Sequence, residues 1–385
     1  MNAEDRVALP PLTYMGGTRA LTTTPVVGAP EHPYPEVFVP LWEELRDGEM
    51  RVTVLGSGNP PPTRAQASGS VLVEVGNAER DMFLFDVGSG SLANFISLQL
   101  PINGLDKVFL SHLHADHTAD LITLFGSFRK AGRVGPLRVW GPAGSEPRFG
   151  TKRAVEAIAA ACAWDTESTR GVASDQSAHM PVTEFDALAP QVVYEEHGVR
   201  ITAFPVVHAL DGAVGYRVDF AGLSVVHSGD TRPCWPLVRA SEGGIDLLIH
   251  ECFPSPELLA AATGDPVERF ETIATIHTVP RMAGRVFNLV EPRMAALWHT
   301  VLVPPLVSGI FEQLHTVYDG PVVQTQDLTV FNVTKEAVVA RQVEAVAQAF
   351  AVPGEATIEP TFGQRPPPPA WWKDAIMLEE APAPA

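Results

Sequence analysis

Short apolar runs separated by polar loops recur along most of the chain and predict a strand-rich fold. Runs of roughly 4–8 apolar or β-branched residues bounded by Gly, Pro, Asn or Asp are typical of β-strands. Such runs predict strands over 51–55, 70–75, 82–86, 107–110, 137–140, 200–207, 215–220, 223–227, 245–250 and 294–298. Helical spacing of apolar positions predicts helices over 150–163, 280–289 and 335–350. The chain begins with predicted strands and continues with strands mixed with helices. This order favours an α+β fold in which two sheets are covered by outer helices.

The composition changes near residues 50 and 334, which divides the chain into three parts. Residues 1–49 are rich in Pro and Thr. We expect them to form an arm that packs on its own domain or is exchanged between the subunits of a homodimer, with a flexible terminus as the alternative. Residues 50–333 carry the predicted strands and are expected to form a catalytic domain with an insertion at about 127–190. Residues 334–385 are expected to form a C-terminal helix and a Pro-rich tail.

The pattern H-x-H-x-D-H is the strongest chemical signal in the chain. It is formed by His112, His114, Asp116 and His117, directly after the apolar run 108–110. Residues two apart in an extended segment point the same way, so His112 and His114 can hold one metal ion. Asp116 and His117 follow where the chain turns into a helix and can face a second ion. Imidazole and carboxylate ligands suit Zn²⁺, with Mn²⁺ or Fe as alternatives.

Further polar side chains follow other predicted strands. His208, Asp230, Glu251 and His299 stand at strand ends, and His277 precedes a predicted helix. Each histidine alone is as easily explained as a packed core or surface residue. Together these residues indicate a site to which several strand ends contribute, and a carboxylate at Asp230 could bridge two ions.

The composition narrows the class of protein. Hydrophobic residues make up 45% of the 385 residues, which allows a large core. The net charge of −18 argues against a broad nucleic-acid footprint, because such a surface needs clustered Lys and Arg. The three cysteines do not suggest a disulfide framework, and we find neither a signal peptide nor an apolar run long enough to span a membrane. We therefore expect a cytoplasmic protein.

Several motifs together resemble the ordered motifs of the metallo-β-lactamase superfamily. They are Thr53-Val-Leu-Gly-Ser-Gly, Leu84-Phe-Asp-Val-Gly-Ser-Gly, the H-x-H-x-D-H pattern, Ser228-Gly-Asp-Thr, Leu248-Ile-His-Glu and His277-Thr. The resemblance covers about residues 50–333 and is greatest to the branch that contains ribonuclease Z and arylsulfatase-like hydrolases. It implies an αββα sandwich, with two mixed sheets flanked by helices, and two zinc ions per chain.

The resemblance also implies a role for each site residue. One zinc ion would be held by His112, His114 and His208, the other by Asp116, His117 and His299, with Asp230 bridging both. Asp116 would also orient a hydroxide formed from a water molecule shared by the ions. Glu251 would position His277, which would donate a proton to the leaving group.

Two departures from this branch bear on the substrate. Only 21 residues lie between His208 and Asp230, too few for the basic arm that ribonuclease Z enzymes use to bind tRNA. The histidine motif also continues differently, as His277-Thr-Val. Together with the acidic net charge, these departures favour a small-molecule substrate and argue against nucleic acid as a partner. The expected substrate is an ester, lactone, phosphodiester or sulfate ester, with hydrolytic dehalogenation also possible.

Two alternative functions remain. A ribonuclease Z-like phosphodiesterase acting on RNA would need a positive groove. The local candidates for such a groove are Arg129, Lys130, Arg133, Lys152 and Arg153, although a solvated surface is the simpler explanation. A non-catalytic zinc-binding scaffold is the third possibility. It is disfavoured, because every ligand position is filled and the pair Glu251 and His277 is retained.

Overall fold

Two β-sheets lie face to face in this protein, and helices cover the outer face of each sheet. The computed structural model describes residues 25–376 and shows the α+β class and the αββα sandwich predicted from the sequence. The strands in chain order are β1 (Val26–Gly28), β2 (Val37–Phe38), β3 (Met50–Gly56), β4 (Ser70–Val75), β5 (Met82–Phe85), β6 (Lys107–Phe109), β7 (Arg138–Pro142), β8 (Val182–Phe185), β9 (Gln191–Glu196), β10 (Val199–Pro205), β11 (Val214–Phe220), β12 (Leu223–His227), β13 (Leu247–Glu251), β14 (Met294–Trp298), β15 (Val322–Gln324), β16 (Thr329–Val333) and β17 (Ala337–Val343). The helices are α1 (Ser91–Ser97), α2 (Ala115–Thr118), α3 (Leu121–Lys130), α4 (Thr151–Ala161), α5 (Ala163–Ser168), α6 (Trp235–Ala240), α7 (Pro256–Thr263), α8 (Glu268–Ala274), α9 (Pro280–Val290), α10 (Pro304–Leu314) and α11 (Trp372–Ala375).

Both sheets change from antiparallel to parallel pairing part-way across. The ten-stranded sheet has the order β1-β17-β16-β3-β4-β5-β6-β7-β8, with β2 beside β17, and its pairing is parallel from β5 to β8. The seven-stranded sheet has the order β15-β14-β13-β12-β11-β10-β9, and its pairing is parallel from β12 to β15. The carboxyl ends of neighbouring parallel strands lie at the same edge of a sheet. Loops after β6, β7, β12, β13 and β14 can therefore meet at one edge of the sandwich.

Alternating side chains of the inner strands fill two different layers. Phe83 and Phe85 of β5 point between the sheets, whereas Leu84 points to the outer helices. Phe109 also lies between the sheets and stacks on Trp140 with a centroid distance of 4.7 Å. Both faces of these strands are buried, which explains why they appear in the sequence as continuous apolar runs.

Each strand that the sequence predicts is present, with small shifts at its ends, and so are the helices predicted over 150–163 and 280–289. The helix predicted over 335–350 is wrong. Residues Ala337–Val343 form β17, which pairs with β16, so the larger sheet extends past residue 333. The apolar positions fit a helical period, but the β-branched Val338, Val339 and Val343 favour a strand that is buried on both faces.

The described part of the N-terminal arm lies along the larger sheet of the same chain. Val26–Gly28 pairs with β17 in antiparallel orientation, and Val37–Phe38 pairs with β17 in parallel orientation. Exchange of the arm between subunits stays a prediction, and residues 1–24 lie outside the described part. The end of the predicted Pro-rich tail, residues 377–385, lies outside it as well. Among residues 25–376, every helix is too short or too polar to cross a lipid bilayer.

Candidate metal centre

All of the predicted metal ligands meet at one edge of the sandwich. His112 and His114 follow β6, Asp116 and His117 lie in the short helix α2, and the remaining ligands follow β10, β12 and β14. They form two groups whose ligand atoms lie within 4.8 Å of one another, namely His112, His114, His208 and Asp230, and Asp116, His117, Asp230 and His299. The grouping matches the division into two sites that the family resemblance implies.

The first group has the spacing of atoms that share one ion. His114 Nδ1 lies 2.9 Å from His112 Nε2 and 3.2 Å from His208 Nε2. Asp230 Oδ2 lies 3.9 Å from His112 Nε2 and 3.8 Å from His208 Nε2. Ligand atoms of a tetrahedral zinc ion with bonds of about 2.0–2.1 Å are about 3.3 Å apart. The three imidazole nitrogens are close to that spacing.

The second group shares Asp230 with the first. Asp230 Oδ2 lies 3.4 Å from His117 Nε2 and 3.5 Å from His299 Nε2. Asp116 Oδ2 lies 3.4 Å from His117 Nε2 and 3.1 Å from His299 Nε2. Because one carboxylate oxygen faces both sets of nitrogens, Asp230 is placed to join two cation sites.

The chemistry of these side chains fits a pair of divalent cations. His117 Nε2 and Asp230 Oδ1 are buried and have no hydrogen-bond partner among the described residues, and such orphaned polar atoms are costly without a ligand. Burial lowers the pKa of His208 to about 4, which leaves a neutral imidazole. Burial raises the pKa of Asp230, but His299 and His117 lower it well below its usual value, which leaves an anion. Neutral imidazoles and ionised carboxylates are the forms that bind metal ions.

Asp86 supports His117 from behind, a role that sequence reasoning did not assign. His117 Nδ1 donates to Asp86 Oδ2 at 2.8 Å, and Ser111 donates to Asp86 through its backbone N–H at 2.7 Å and its hydroxyl at 2.6 Å. This leaves His117 Nε2 facing Asp230 and Asp116 at 3.4 Å each. Although burial lowers the pKa of His117, Asp230 and Asp86 raise it well above its usual value, so a metal ion would replace a proton at Nε2. Asp86 has a φ of 56°, an uncommon conformation for a residue other than glycine. Its place at the end of β5, within a motif of the resemblance, is the signal that could have revealed it.

His208 is oriented in the same way by a backbone carbonyl. Its Nδ1 donates to Ile276 O at 2.9 Å, so that Nε2 faces the ligand group. The contact also ties the loop after β10 to the residue that precedes His277. A ligand whose second ring nitrogen is hydrogen-bonded has a fixed tautomer and orientation.

Glu251 and His277 lie directly beside the ligands. His277 Nδ1 is 3.0 Å from Glu251 Oε2, and Glu251 Oε1 also accepts a hydrogen bond from the backbone of Thr231. The His277 ring lies 5.1 Å from that of His208 and 5.8 Å from that of His299, measured between ring centroids. Although burial lowers the pKa of His277, the Glu251 carboxylate raises it to about 9. Glu251 thus favours the protonated form of His277 at the rim of the candidate metal ligands.

The predicted basic cluster does not form a groove. Arg133 is buried and donates to the carbonyls of Leu124, Phe125 and Ser177, and Arg129 is buried and donates to Ser177 Oγ. Lys130 pairs with Asp165 at 2.6 Å. Lys152 and Arg153 are exposed, in the first turn of α4.

Two cavities adjoin this ligand set, one lined by His114 and the other by His277. The His114 cavity has a volume of about 330 Å³ and is lined by His112, Leu113 and His114, by parts of 142–154 and by 208–213. The His277 cavity has a volume of about 530 Å³ and includes Arg232 and Ser255 beside His277. Both volumes are within or near the range of roughly 300–1,000 Å³ that is usual for small-ligand sites.

Comparison with known proteins assigns this geometry to a family. The family model described as "Beta-lactamase superfamily domain" matches residues 82–300, more than half of the chain. The chain belongs to the metallo-β-lactamase superfamily. The fold of this superfamily of hydrolases implies a divalent metal ion, usually zinc, in agreement with the ligand groups described above.

Similar proteins indicate which branch of the metallo-β-lactamase superfamily the chain belongs to. Ribonuclease Z of Mycobacterium avium strain 104 is 31% identical over 269 residues, which cover 69% of this chain and 90% of that protein. The chain therefore lies in the ribonuclease Z branch. Among solved structures, YhfI from Bacillus subtilis has a TM-score of 0.54 and 22% identity, over 74% of this chain and 100% of that chain. Human tRNase Z, short form, has a TM-score of 0.52 and 20% identity, over 73% of this chain and 98% of that chain.

The expectation of a small-molecule substrate without nucleic acid is wrong. It conflicts with the mycobacterial relatives, which match over most of their length and are named ribonuclease Z. The net charge of −18 misleads, because it is a sum over the whole chain, whereas RNA binding depends on the charges near the cleft.

Proposed function

We propose that this protein is a metal-dependent phosphodiesterase of the ribonuclease Z type that cleaves RNA. The observation that carries the proposal is the hydrogen-bonded pair of Glu251 and His277. This pair lies beside two groups of possible metal ligands that share Asp230. A scaffold that only stores metal has no need for a positioned proton donor at its open side. The similarity to ribonuclease Z over 90% of that relative's length supports RNA as the substrate class.

In this proposal His112, His114 and His208 would hold one zinc ion and Asp116, His117 and His299 would hold another, and both ions would share Asp230. When bound, such ions supply Lewis-acid chemistry and lower the pKa of water. Asp116 would accept a hydrogen bond from the attacking water and orient it. Burial raises the pKa of Asp116, but His117 and His299 lower it more, which keeps the carboxylate an acceptor.

His277 is the proposed general acid for the leaving oxygen. Its Nδ1 is engaged by Glu251, so Nε2 is the nitrogen available to a substrate in the His277 cavity. Glu251 would hold the ring in place and stabilise its protonated form. Such a proton donor contributes about 10²–10⁴-fold to a rate, because an alkoxide is a poor leaving group without a proton.

The test is cleavage of a tRNA transcript with a 3′ extension by the full-length, zinc-loaded protein. We expect cleavage that is lost on chelation and in His114→Ala, with His32→Ala as the matched control, since His32 is an exposed residue of the arm. An intact transcript under conditions in which the same preparation hydrolyses activated phosphodiesters would rule out RNA as the substrate. RNA cleavage that persists in His114→Ala would rule out the proposed centre.

A further inference from the structure

The His114 cavity has walls built from two loops, and the hydrolysis of a phosphodiester does not by itself require such walls. Its base is formed by the predicted ligands His112, His114 and His208, and its walls come from two loops. One loop follows β7 and leads into α4, and the other follows β10. A group seated there would lie directly against a phosphate held at the metal ligands.

The two wall loops approach each other at a pair of glycines. Gly144 and Gly212 have φ values of 70° and 112°. A Cβ atom added at Gly212 would lie 3.1 Å from Gly144 Cα, and one at Gly144 would lie 2.5 Å from the carbonyl oxygen of Phe149. A side chain at Gly212 would press on the other wall loop, whereas one at Gly144 would clash with Phe149 of its own loop. The two glycines therefore allow the walls to keep their shape.

The walls expose large apolar side chains beside a cation. Phe149 is 39% exposed and Leu210 is 65% exposed, each on a different wall loop. The Arg148 guanidinium lies over the Phe149 ring, 4.5 Å from its centroid, and Arg148 Nε lies 2.9 Å from Glu146 Oε2. The Arg148–Glu146 pair is solvent-exposed and therefore weak, so Arg148 can exchange that carboxylate for a phosphate.

Positive charge continues along the same segment. Lys152 and Arg153 are exposed in the first turn of α4. The next residue, Ala154, lines the cavity. Asp211 is the one carboxylate among the lining residues, where it can accept a hydrogen bond from a base amine or a ribose hydroxyl. Exposed aromatic surface interleaved with basic side chains is how proteins hold single-stranded nucleic acid.

We propose that the His114 cavity is a nucleoside subsite. The base packs on Phe149 and against Leu210. Arg148, Lys152 and Arg153 contact the phosphate that follows this nucleoside in the substrate chain. This inference rests on the proposed phosphodiesterase function and specifies it further. Because His277 would protonate the leaving oxygen and lines a different cavity, we assign the nucleoside in the His114 cavity to the product that keeps the phosphate.

The test compares two chromogenic phosphodiesters with the same leaving group. Thymidine 5′-(p-nitrophenyl phosphate) and methyl p-nitrophenyl phosphate both release p-nitrophenol when water attacks phosphorus, and they differ in the group that stays on the phosphate. We expect the zinc-loaded full chain to prefer the thymidine ester in kcat/KM. In Phe149→Ala that preference should fall by at least about fivefold, from the loss of stacking, and Phe149→Tyr should restore it.

Phe350→Ala is the matched control, because Phe350 is 89% exposed and lies outside the cavity lining. It should keep the wild-type preference. The subsite is refuted if wild type shows no preference for the thymidine ester, or if Phe149→Ala keeps it. Hydrolysis of neither ester by a zinc-loaded, folded protein refutes the proposed phosphodiesterase function instead, so the two failures can be told apart.

Discussion

His117 Nδ1 lies 2.8 Å from Asp86 Oδ2, and both side chains are fully buried. Asp86 holds the ring so that the opposite nitrogen, His117 Nε2, faces Asp116 and Asp230 at 3.4 Å each. The carboxylate therefore supports the candidate metal site from the side of the His117 ring that faces away from Asp116 and Asp230. Such supporting groups fix the tautomer of a ligand and raise its basicity.

Asp86→Asn should weaken zinc binding by about 10–100-fold, the usual cost of losing such a support. The amide cannot accept the His117 proton as strongly, so the ring is held less firmly. Competition with a chromophoric chelator measures the affinity. Asp265→Asn is the control, because Asp265 pairs with Arg269 on the surface at 2.8 Å. Equal zinc affinity in Asp86→Asn and wild type would contradict this role.

Zinc should raise the thermal unfolding midpoint of the protein. The unpaired buried atoms His117 Nε2 and Asp230 Oδ1 destabilise the metal-free fold, and binding to the native state alone stabilises it. At free zinc about 100-fold above the dissociation constant the gain is about 2.7 kcal/mol. An unfolding entropy of about 2.1 cal/mol/K per residue gives about 1.2 °C per kcal/mol for a chain of 385 residues, so the midpoint should rise by roughly 3 °C. Differential scanning fluorimetry with and without zinc tests this.

The matched variant for the thermal experiment is Asp230→Asn. It removes the charge that both ligand groups share, so the zinc-dependent rise should shrink markedly. Asp265→Asn should keep the full rise. A zinc response of the same size in Asp230→Asn would mean that the stabilising ion binds elsewhere.

Much of the candidate site could be predicted from the sequence because its ligands stand at the ends of apolar runs. His208, Asp230 and His299 follow strands whose carboxyl ends meet at one edge, and a strand end is readable from local pattern. The role of Asp86 is harder to see, since it depends on which ring nitrogen it meets after folding.

Other features depend on burial, which local pattern does not show. Arg129 and Arg133 resemble a basic surface in the sequence, yet both are buried and donate hydrogen bonds within the fold. The helix predicted over 335–350 fails for a related reason, because the Val-rich run is covered on both faces by the sheet and its neighbours. The walls of the His114 cavity come from loops far apart in the chain, so their meeting at Gly144 and Gly212 was not predictable.

His277→Ala should reduce activity in proportion to how poor the leaving group is. RNA needs a proton on a departing alkoxide, so its kcat should fall by about 10²–10⁴-fold. A p-nitrophenyl ester needs little such help and should lose much less. Steady-state kinetics on both substrates measures the contrast, with His32→Ala as control. Equal losses on the two substrates would argue that His277 binds the phosphate and does not act as an acid.

Asp81→Asn should destabilise the fold, because it leaves Lys107 buried with a weaker partner. Lys107 Nζ lies 2.7 Å from Asp81 Oδ1, with both side chains 5% exposed. Breaking a buried pair costs about 3–5 kcal/mol, and since Asp106 still contacts Lys107 at 2.8 Å we expect the lower end. Urea unfolding measures the loss. The exposed pair of Lys130 and Asp165 supplies the control, because Asp165→Asn should cost at most about 1 kcal/mol.

The effect of Asp81→Asn should also depend on pH in a defined direction. Burial raises the pKa of Asp81, but the hydrogen bonds from Lys107 and Asn77 lower it below its ordinary value. A carboxyl whose pKa is lower in the folded chain stabilises it fully above the unfolded value of about 3.9 and loses that effect as pH falls through the folded value. The stability difference between wild type and Asp81→Asn should therefore narrow below about pH 4. It should also decrease as pH rises above about 6.5, because the hydrogen bond to Asp81 raises the pKa of His197, at 2.8 Å, and that stabilisation is lost when the imidazole loses its proton. A difference that widens below about pH 4 would show that the pKa of Asp81 is raised in the native state.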